Sequence, residues 1–216
     1  MAPIRVYLVE DQPRLLRGLE RALARRPGLE VVGAALDGET ALAEIAEAGP
    51  PDVLVLDLEL PGLSGLDVLG RLGQMDVDVE VLVWTAFQDE ERVFEAIRGG
   101  ASGYLLKNSP PDRIEDGIVE VYRGGTVLEP VIARRFLNLF RSLGRGGAAN
   151  DCPLTEEERE VLQVVGRGLS NREAGDVLDL TRRRVRSHLR RIYRKLEVRG
   201  RVEAVTRAVS RGWIEL

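Results

Sequence analysis

Acidic, hydroxyl and ammonium side chains fall where the β-rich segments of the N-terminal half end. Glu10 and Asp11 follow the first segment, Asp57 closes the third, and Thr85 and Lys107 lie at the ends of the last two. In an open parallel sheet, ligands bind beyond the carboxyl ends of the strands. Close carboxylates repel one another unless a hard cation binds them, and magnesium prefers such oxygen ligands. With Lys107 and Thr85 to neutralise and hydrogen-bond a phosphate, the pattern predicts a Mg²⁺-dependent phosphoryl-acceptor site on Asp57.

The elements that position these residues alternate between apolar β-rich segments and segments with helical periodicity. This alternation is typical of βαβ units with a parallel sheet that is buried on both faces. We predict an α/β fold with five parallel strands in the order 2-1-3-4-5, flavodoxin-like and doubly wound. The predicted strands are Ile4–Val9, Glu30–Leu36, Val53–Asp57, Val79–Thr85 and Gly103–Leu106.

The C-terminal part of the chain has a different composition and no strand pattern. Residues 1–150 carry 16 Lys and Arg against 24 Asp and Glu, whereas residues 151–216 carry 15 against 11. Thr155, Ser170 and Thr181 each stand at a predicted helix N-cap, and Ser170 has Glu173 at capping-box spacing. A fourth helix is predicted over 201–212, so this part is a small all-α domain.

The third of these helices has one apolar face and one basic face. Val185, Leu189, Ile192 and Leu196 recur at helical spacing. The opposite face carries Arg183, Ser187, Arg190 and Arg194, flanked by Arg186, Arg191 and Lys195. A helix-turn-helix places such a helix in the DNA major groove, although a solvated basic face is the alternative interpretation.

Composition excludes several classes of protein. No apolar run approaches the roughly 20 residues of a spanning helix, and the N-terminus has no signal-peptide pattern, so a cytoplasmic protein is expected. One cysteine, Cys152, allows no internal disulfide, and one histidine, His188, allows no Cys/His zinc cluster. For His188 we expect a packed or phosphate-contacting imidazole with no catalytic role.

The N-terminal half resembles the receiver domain of bacterial two-component response regulators. The resemblance spans residues 4–123 and rests on Glu10-Asp11, the segment from Asp57 through Pro61-Gly62 to Gly65, Thr85-Ala86, and the segment from Gly103 to Lys107. It implies that Asp57 accepts a phosphoryl group from a histidine kinase. It also implies that Glu10, Asp11, Asp57 and the backbone carbonyl of Glu59 bind Mg²⁺.

The same resemblance implies a contact of Lys107 with the phosphate and a switch that involves Thr85, Ala86 and Tyr104. From chemistry alone, a half-buried Tyr104 with its hydroxyl in water is an equal alternative. Trp84 is bulkier than the aliphatic residue usual in this family. We expect it to constrain the strand that ends at Thr85.

The C-terminal part, over about 153–212, resembles the LuxR-type helix-turn-helix of the NarL/FixJ family. The resemblance rests on Leu154-Thr155, the segment Gly168–Glu173, Val185 to Leu189, and Arg201 to Ala204. It implies base contacts by Arg186, Ser187 and Arg190. Our phosphate-contact candidates are Arg184, Arg194 and Lys195, with Arg183 also on the predicted DNA side, and the last helix, with Val202, Val205 and Val209, resembles a dimer face.

Two departures from this pattern concern the second domain. Arg184 replaces a frequent threonine, and Ala174-Gly175 stands where Ile-Ala is common. Because a helical glycine costs about 1 kcal/mol relative to alanine, we expect marginal stability or altered packing.

The domains are predicted as 1–125 for the receiver, 126–152 for a linker, and 153–216 for the helix-turn-helix. The linker holds an amphipathic helix over 131–141 and a glycine-rich stretch over 144–150.

The chain is interpreted as a phosphorylation-regulated transcription factor and not as an enzyme, with at most self-phosphorylation from small donors and self-dephosphorylation. Its expected partners are a histidine kinase, inverted half-sites of double-stranded DNA and a second copy of the chain, with no membrane. The alternatives are a phosphorylation-independent DNA-binding regulator and a Mg²⁺-dependent phosphohydrolase.

Overall fold

The computed structural model describes residues 2–75, 77, 79–87, 89–128, 152–198 and 200–215. Its parallel sheet has six strands in the order 2-1-3-4-5-6, so the predicted count of five is one too low. The additional strand is only two residues long and pairs with the fifth strand, which gives it no periodicity to detect in the sequence. The strands are β1 (Ile4–Val9), β2 (Leu29–Ala35), β3 (Val53–Leu56), β4 (Glu80–Thr85), β5 (Gly103–Leu106) and β6 (Val127–Leu128).

Two apolar clusters cover the two faces of the sheet, as expected for parallel strands. Helices α1 (Pro13–Leu23) and α5 (Pro111–Tyr122) lie on one face, and their buried side chains include Leu19 and Ile118. The other face packs against α2 (Gly38–Ala48), α3 (Gly65–Gln74) and α4 (Glu90–Arg98). The period of two along each strand therefore decides which face every side chain reaches.

Helix α3 begins close to the loop that follows β3. Ser64 and Asp67 form a capping box at its N-terminus. A Cβ on Gly65 would lie 2.2 Å from the carbonyl oxygen of Asp57, so only glycine fits this approach. Gly65 thereby fixes the path of the chain just after Asp57.

Residues 152–198 and 200–215 form four helices around one apolar cluster. Thr155, Ser170 and Thr181 cap the first three of these helices through their side-chain oxygens, as predicted. The first two of these caps are capping boxes, completed by Glu158 and Glu173. The helices are α6 (Glu156–Gly166), α7 (Asn171–Leu178), α8 (Arg182–Lys195) and α9 (Arg201–Ser210).

The turn between α7 and α8 explains why residue 175 is a glycine. A Cβ at this position would lie 2.4 Å from the carbonyl oxygen of Leu180, and the Gly175 carbonyl accepts a hydrogen bond from the Leu180 amide. The turn is also tightened by Asp179, whose φ of 55° is left-handed. Gly175 therefore allows the two helices to approach closely, which offsets its poor helix propensity.

The predicted helix over 131–141 and the glycine-rich stretch over 144–150 lie outside the described residues. Among the helices that the structure does describe, none combines the length and the apolar character needed to cross a bilayer.

Candidate phosphoacceptor site and DNA-facing helix

Three carboxylates meet at the carboxyl edge of the sheet. Oxygen atoms of Glu10, Asp11 and Asp57 lie within 4.8 Å of one another. Glu10 and Asp57 are buried directly after β1 and β3, whose last residues are themselves buried, whereas Asp11 is partly exposed. The order of the strands makes β1 and β3 neighbours, which is why residues 46 positions apart in sequence form one cluster.

Lys107 bridges two of these carboxylates. Its Nζ donates to Asp57 Oδ2 at 2.7 Å and to Glu10 Oε1 at 2.9 Å. Burial by itself lowers the pKa of Lys107, but its hydrogen bonds to Asp57 and Glu10 outweigh burial and raise the pKa. Lys107 is therefore a fixed positive charge beside Asp57.

The donor set fits a magnesium ion. Three carboxylates against one ammonium leave a formal charge of about −2 when all are ionised, and all the candidate ligand atoms are oxygens. Asp57 Oδ1 is buried and has no hydrogen-bond partner among the described residues. Burial raises the pKa of Glu10, and the neighbouring charge of Asp57 adds to this, although Lys107 acts in the opposite direction. A divalent cation bound here would relieve this repulsion.

The other predicted receiver residues lie at the same edge of the sheet. Thr85 is buried at the end of β4, and its Oγ1 has no partner among the described residues. Ala86 and Glu59 are exposed in the loops after β4 and β3.

Tyr104 differs from the half-buried alternative considered from the sequence. Its side chain is fully buried, and its hydroxyl donates to the carbonyl oxygen of Phe87 at 3.1 Å. Burial raises the pKa of the phenol well above its ordinary value. Arg92 of α4 stacks over the Phe87 ring, with its Cζ 3.5 Å from the centroid. Tyr104 is thus connected to the start of α4.

The apolar face of α8 is the one that the sequence predicts. Val185, Leu189, Ile192 and Leu196 are all buried in the cluster of the C-terminal helices. Arg184 and Ser187 are exposed, whereas the side chain of Arg183 is outside the described set. His188 is buried and its Nδ1 lies 3.1 Å from Arg191, in agreement with a packed imidazole. Burial and the neighbouring Arg191 charge lower its pKa.

Several basic side chains of α8 have protein partners. Arg186 lies 3.3 Å from Glu80 of β4, and its side chain is only 14% exposed. Arg190 and Arg194 line a cavity of about 340 Å³ between the two domains. Lys195 is hydrogen-bonded at 2.7 Å to the buried Glu158 of α6. In this arrangement the receiver covers part of the predicted DNA-contacting face.

The end of α5 forms the second part of the contact between the domains. Its last carbonyls accept hydrogen bonds from the C-terminal helices: Tyr122 from Arg182, Arg123 from the Asn171 amide at 2.9 Å, and Gly124 from Arg201. The guanidinium of Arg182 also stacks on the Tyr122 ring at 3.7 Å. Cations and helix N-termini are the natural partners of a helix C-terminus, since its carbonyls carry partial negative charge.

A third part of the contact joins α4 to α9. A Cβ on Gly200 would lie 3.2 Å from the Cα of Gly100, so the two backbones approach closely. Val202, predicted to lie on a dimer face, packs here against the receiver cluster, whereas Val205 and Val209 pack against the helices of their own domain.

Sequence reasoning missed Asn171, Arg182 and Arg201 as contact residues. Arg201 is named in the sequence only as part of the helix-turn-helix resemblance, yet it donates to the carbonyls of Val165 and Leu169 as well as Gly124. No local pattern indicates such a role, because all three acceptors are backbone groups distant in sequence.

This fold and site define a receiver domain joined to a DNA-binding helix-turn-helix. The family "Response regulator receiver domain" matches residues 6–119, and the family "Bacterial regulatory proteins, luxR family" matches residues 152–208. The nitrate/nitrite response regulator protein NarP of Escherichia coli (strain K12) is 37% identical over 204 residues, covering 94% of this chain and 93% of NarP. The transcriptional regulatory protein DesR of Bacillus subtilis (strain 168) is 32% identical, covering 98% of this chain and 100% of DesR.

Solved structures agree with these relatives. The crystal structure of the response regulator ChrA of a heme-sensing two-component system is 32% identical, with a TM-score of 0.53, covering 99% of this chain and 100% of that chain. The chain belongs to the NarL/FixJ family of two-component response regulators. It is a phosphorylation-regulated transcription factor.

Proposed function

We propose that phosphorylation of Asp57 opens the contact between the two domains and releases α8 for binding to DNA in the cytoplasm. In this proposal residues 1–125 act as the receiver, residues 126–152 as the linker and residues 153–216 as the DNA-binding domain. The observation that carries the proposal is the ion pair between Arg186 of α8 and Glu80 of the receiver. A side chain expected to read bases cannot do so while the receiver holds it.

The chemistry at Asp57 is a phosphoryl transfer. A carboxylate oxygen of Asp57 attacks the phosphorus of a phosphohistidine on a histidine kinase, the P–N bond breaks, and its electron pair returns to the imidazole. Asp57 Oδ1 has no hydrogen-bond partner within the described part of the chain, whereas Oδ2 accepts a hydrogen bond from Lys107. Lys107 keeps its charge and remains close enough to contact an oxygen of the transferred group.

Glu10, Asp11 and Asp57 would hold the magnesium ion, with the Glu59 carbonyl as a fourth protein ligand. When bound, Mg²⁺ supplies positive charge to the phosphoryl oxygens during the transfer. The protein groups supply orientation, because Gly65 fixes the loop after Asp57 and the strand ends fix the carboxylates.

The route from Asp57 to the domain contact runs through α4. Phosphorylation adds close to two negative charges at the site. Thr85 and Tyr104 lie between this edge and the start of α4, and the residues after α4 meet Gly200 of the DNA-binding domain. A shift of α4 would therefore loosen the contact around Gly200 and Val202.

Release would expose both the basic face of α8 and Val202 of α9. A dimer through the α9 face, with Val202, Val205 and Val209, would then bind two inverted half-sites. Ser187 and Arg190 join Arg186 as base-contacting candidates, and Arg183, Arg184 and Arg194 remain phosphate-contacting candidates. Lys195 would contact phosphate only in addition to its bond with Glu158.

The first experiment measures the intact mass of the full chain after incubation with acetyl phosphate and Mg²⁺, for wild type and Asp57→Asn. The second measures binding of both proteins to a mixed-sequence DNA duplex at low salt, with and without acetyl phosphate. We expect one phosphoryl adduct on the wild type only, and DNA binding that tightens only where the adduct forms. An adduct on both proteins would contradict Asp57 as the acceptor. An adduct on the wild type with no change in DNA binding would contradict control through the domain contact.

A further inference from the structure

Trp84 lies beside the phosphoacceptor site, although the resemblance assigns it no role. It is the penultimate residue of β4 and is 94% buried. The apolar cluster that it joins includes Leu8, Leu82 and Leu105. The period of two along the strands therefore places Trp84 on the same face of the sheet as the residues two positions beyond Leu8 and Leu105, which are Glu10 and Lys107.

The indole ring faces the ammonium group of Lys107. The Lys107 Nζ lies 5.7 Å from the ring centroid, within the range of a cation–π contact. Strand pairing explains the contact, because Trp84 is opposite Leu105 and Lys107 follows two residues later on the same side. The side chain of Lys107 is only 13% exposed, so little water screens this attraction.

Lys107 makes three contacts of two kinds, hydrogen bonds and a cation–π contact. Asp57 and Glu10 accept its two short hydrogen bonds, and the Trp84 ring lies within cation–π range. When Asp57 receives a phosphoryl group, the acceptors around Lys107 change, because the carboxylate becomes an acyl phosphate. The ring does not change, and it remains a partner that holds the ammonium in place.

We propose that Trp84 is a positioning residue for Lys107, which sets both the rate at which Asp57 is phosphorylated and the lifetime of the acyl phosphate. Part of this inference rests on the proposed acceptor role of Asp57. Without the aromatic ring, Lys107 has more freedom to leave the phosphoryl oxygens, so transfer slows. Water also gains access to the phosphorus from that side. Its oxygen attacks phosphorus, the acyl phosphate P–O bond breaks, and inorganic phosphate and the Asp57 carboxylate are released.

The test compares Trp84→Leu with Trp84→Phe in the full chain. Phenylalanine keeps an aromatic face, whereas leucine keeps only apolar volume. Adduct formation from acetyl phosphate with Mg²⁺, and adduct loss after the donor is removed, are followed by intact mass. We expect Trp84→Leu to form the adduct about threefold to tenfold more slowly and to lose it faster, and Trp84→Phe to recover most of both rates.

Ile118→Val is the matched control, because Ile118 belongs to the same apolar cluster and this change removes one methylene group without altering an aromatic ring. Equal kinetics in wild type and Trp84→Leu would overturn the inference. So would an equal loss of rate in Trp84→Leu and Trp84→Phe, or in Ile118→Val, because packing alone would then explain it. Absence of any adduct on the wild type would instead overturn the acceptor role of Asp57, and the positioning role with it.

A spectroscopic arm tests the contact without phosphoryl transfer. Trp213→Phe leaves Trp84 as the one tryptophan in the chain. In that background, Lys107→Met removes the charge next to the indole, and we expect a shift in the Trp84 emission maximum. An unchanged spectrum would show that the ring does not sense Lys107 and would overturn the inference.

Discussion

The phosphoacceptor edge and the contact between the domains are both polar, but they are assembled in different ways. At the edge, three strands of one parallel sheet place Glu10, Asp57 and Lys107 close together, with hydrogen bonds of 2.7 to 2.9 Å. Between the domains, the ion pairs Arg186–Glu80 at 3.3 Å and Arg98–Glu203 at 4.0 Å are joined by hydrogen bonds to backbone carbonyls and by two glycines in close approach. The strand order of one sheet holds the residues of the edge in fixed positions, whereas the groups in the domain contact can separate.

This difference shows which part of a regulated protein needs rigidly placed charges and which part needs interactions that are individually weak. A site that must hold Mg²⁺ and a phosphoryl group requires preorganised charges. A contact that must open needs individually weak interactions, and surface ion pairs contribute about 0 to 1 kcal/mol each. Substitutions at the edge should therefore affect chemistry strongly, and substitutions in the contact should shift an equilibrium modestly.

The largest effect is expected at the edge. Lys107→Gln removes the positive charge beside Asp57, and we expect adduct formation from acetyl phosphate to slow by about 100-fold. The affinity of the unphosphorylated protein for DNA should not change. Lys195→Gln is a matched control, since this lysine also pairs with a buried carboxylate but lies in the other domain. Intact mass against time measures the rates, and a loss of less than threefold would remove Lys107 from the phosphoryl-transfer site.

The second prediction tests the packing of the helices inside the DNA-binding domain and does not involve the contact with the receiver. Gly175→Ala places a methyl group against the Leu180 carbonyl, and we expect the free energy of unfolding to fall by about 2 kcal/mol. Gly18→Ala, in an open position of α1, should raise it by about 0.5 to 1 kcal/mol. Urea unfolding of both variants measures these changes. Stabilisation by Gly175→Ala would mean that helix propensity outweighs the close approach.

The third prediction concerns the ion pair between Arg186 and Glu80. Glu80→Gln removes this ion pair, and we expect the affinity of the unphosphorylated chain for a mixed-sequence duplex to rise about threefold to fivefold. The rate of phosphorylation should stay the same. Glu30→Gln removes the same charge from an exposed position of β2 and controls for the general effect of net charge. Fluorescence anisotropy measures binding, and equal gains in both variants would contradict a specific role of Glu80.

The smallest effect is expected at the end of α5. Tyr122→Leu removes the ring under Arg182 while its backbone carbonyl remains, so the same DNA affinity should rise about twofold to fivefold. Tyr122→Phe keeps the ring and should resemble the wild type. If the phenylalanine variant binds DNA as tightly as the leucine variant, the stacking of Arg182 on the ring does not stabilise the contact between the domains.

The edge could be predicted from the sequence because its geometry follows from strand order. Glu10, Asp57 and Lys107 each lie just after a strand, and parallel strands end at the same edge. The helix caps were equally predictable, since Thr155 and Ser170 act on amides three residues away. In both cases the determining interactions are local, or are fixed by the period of the element.

The contact between the domains could not be predicted in the same way. The backbone carbonyls of Tyr122, Arg123 and Gly124 accept hydrogen bonds from residues of the DNA-binding domain, and a carbonyl has no signature in the sequence. The donors are, in the same order, Arg182, the Asn171 amide and Arg201. The burial of Tyr104 likewise depends on how the loop around Phe87 closes over it. Such features depend on docking after the elements have formed.

Strand β6 has a consequence for how readily the domains meet. By pairing with β5 through Val127 and Leu128, it fixes the point where the chain leaves the sheet, close to Gly124 at the docking site. Because the two domains belong to one chain, this covalent tether lets them encounter each other at an effective concentration of the order of millimolar. An interaction too weak to hold two separate proteins together is sufficient under this tether. The loss of about 1 to 2 kcal/mol would then change the ratio of closed to open molecules by roughly fivefold to thirtyfold.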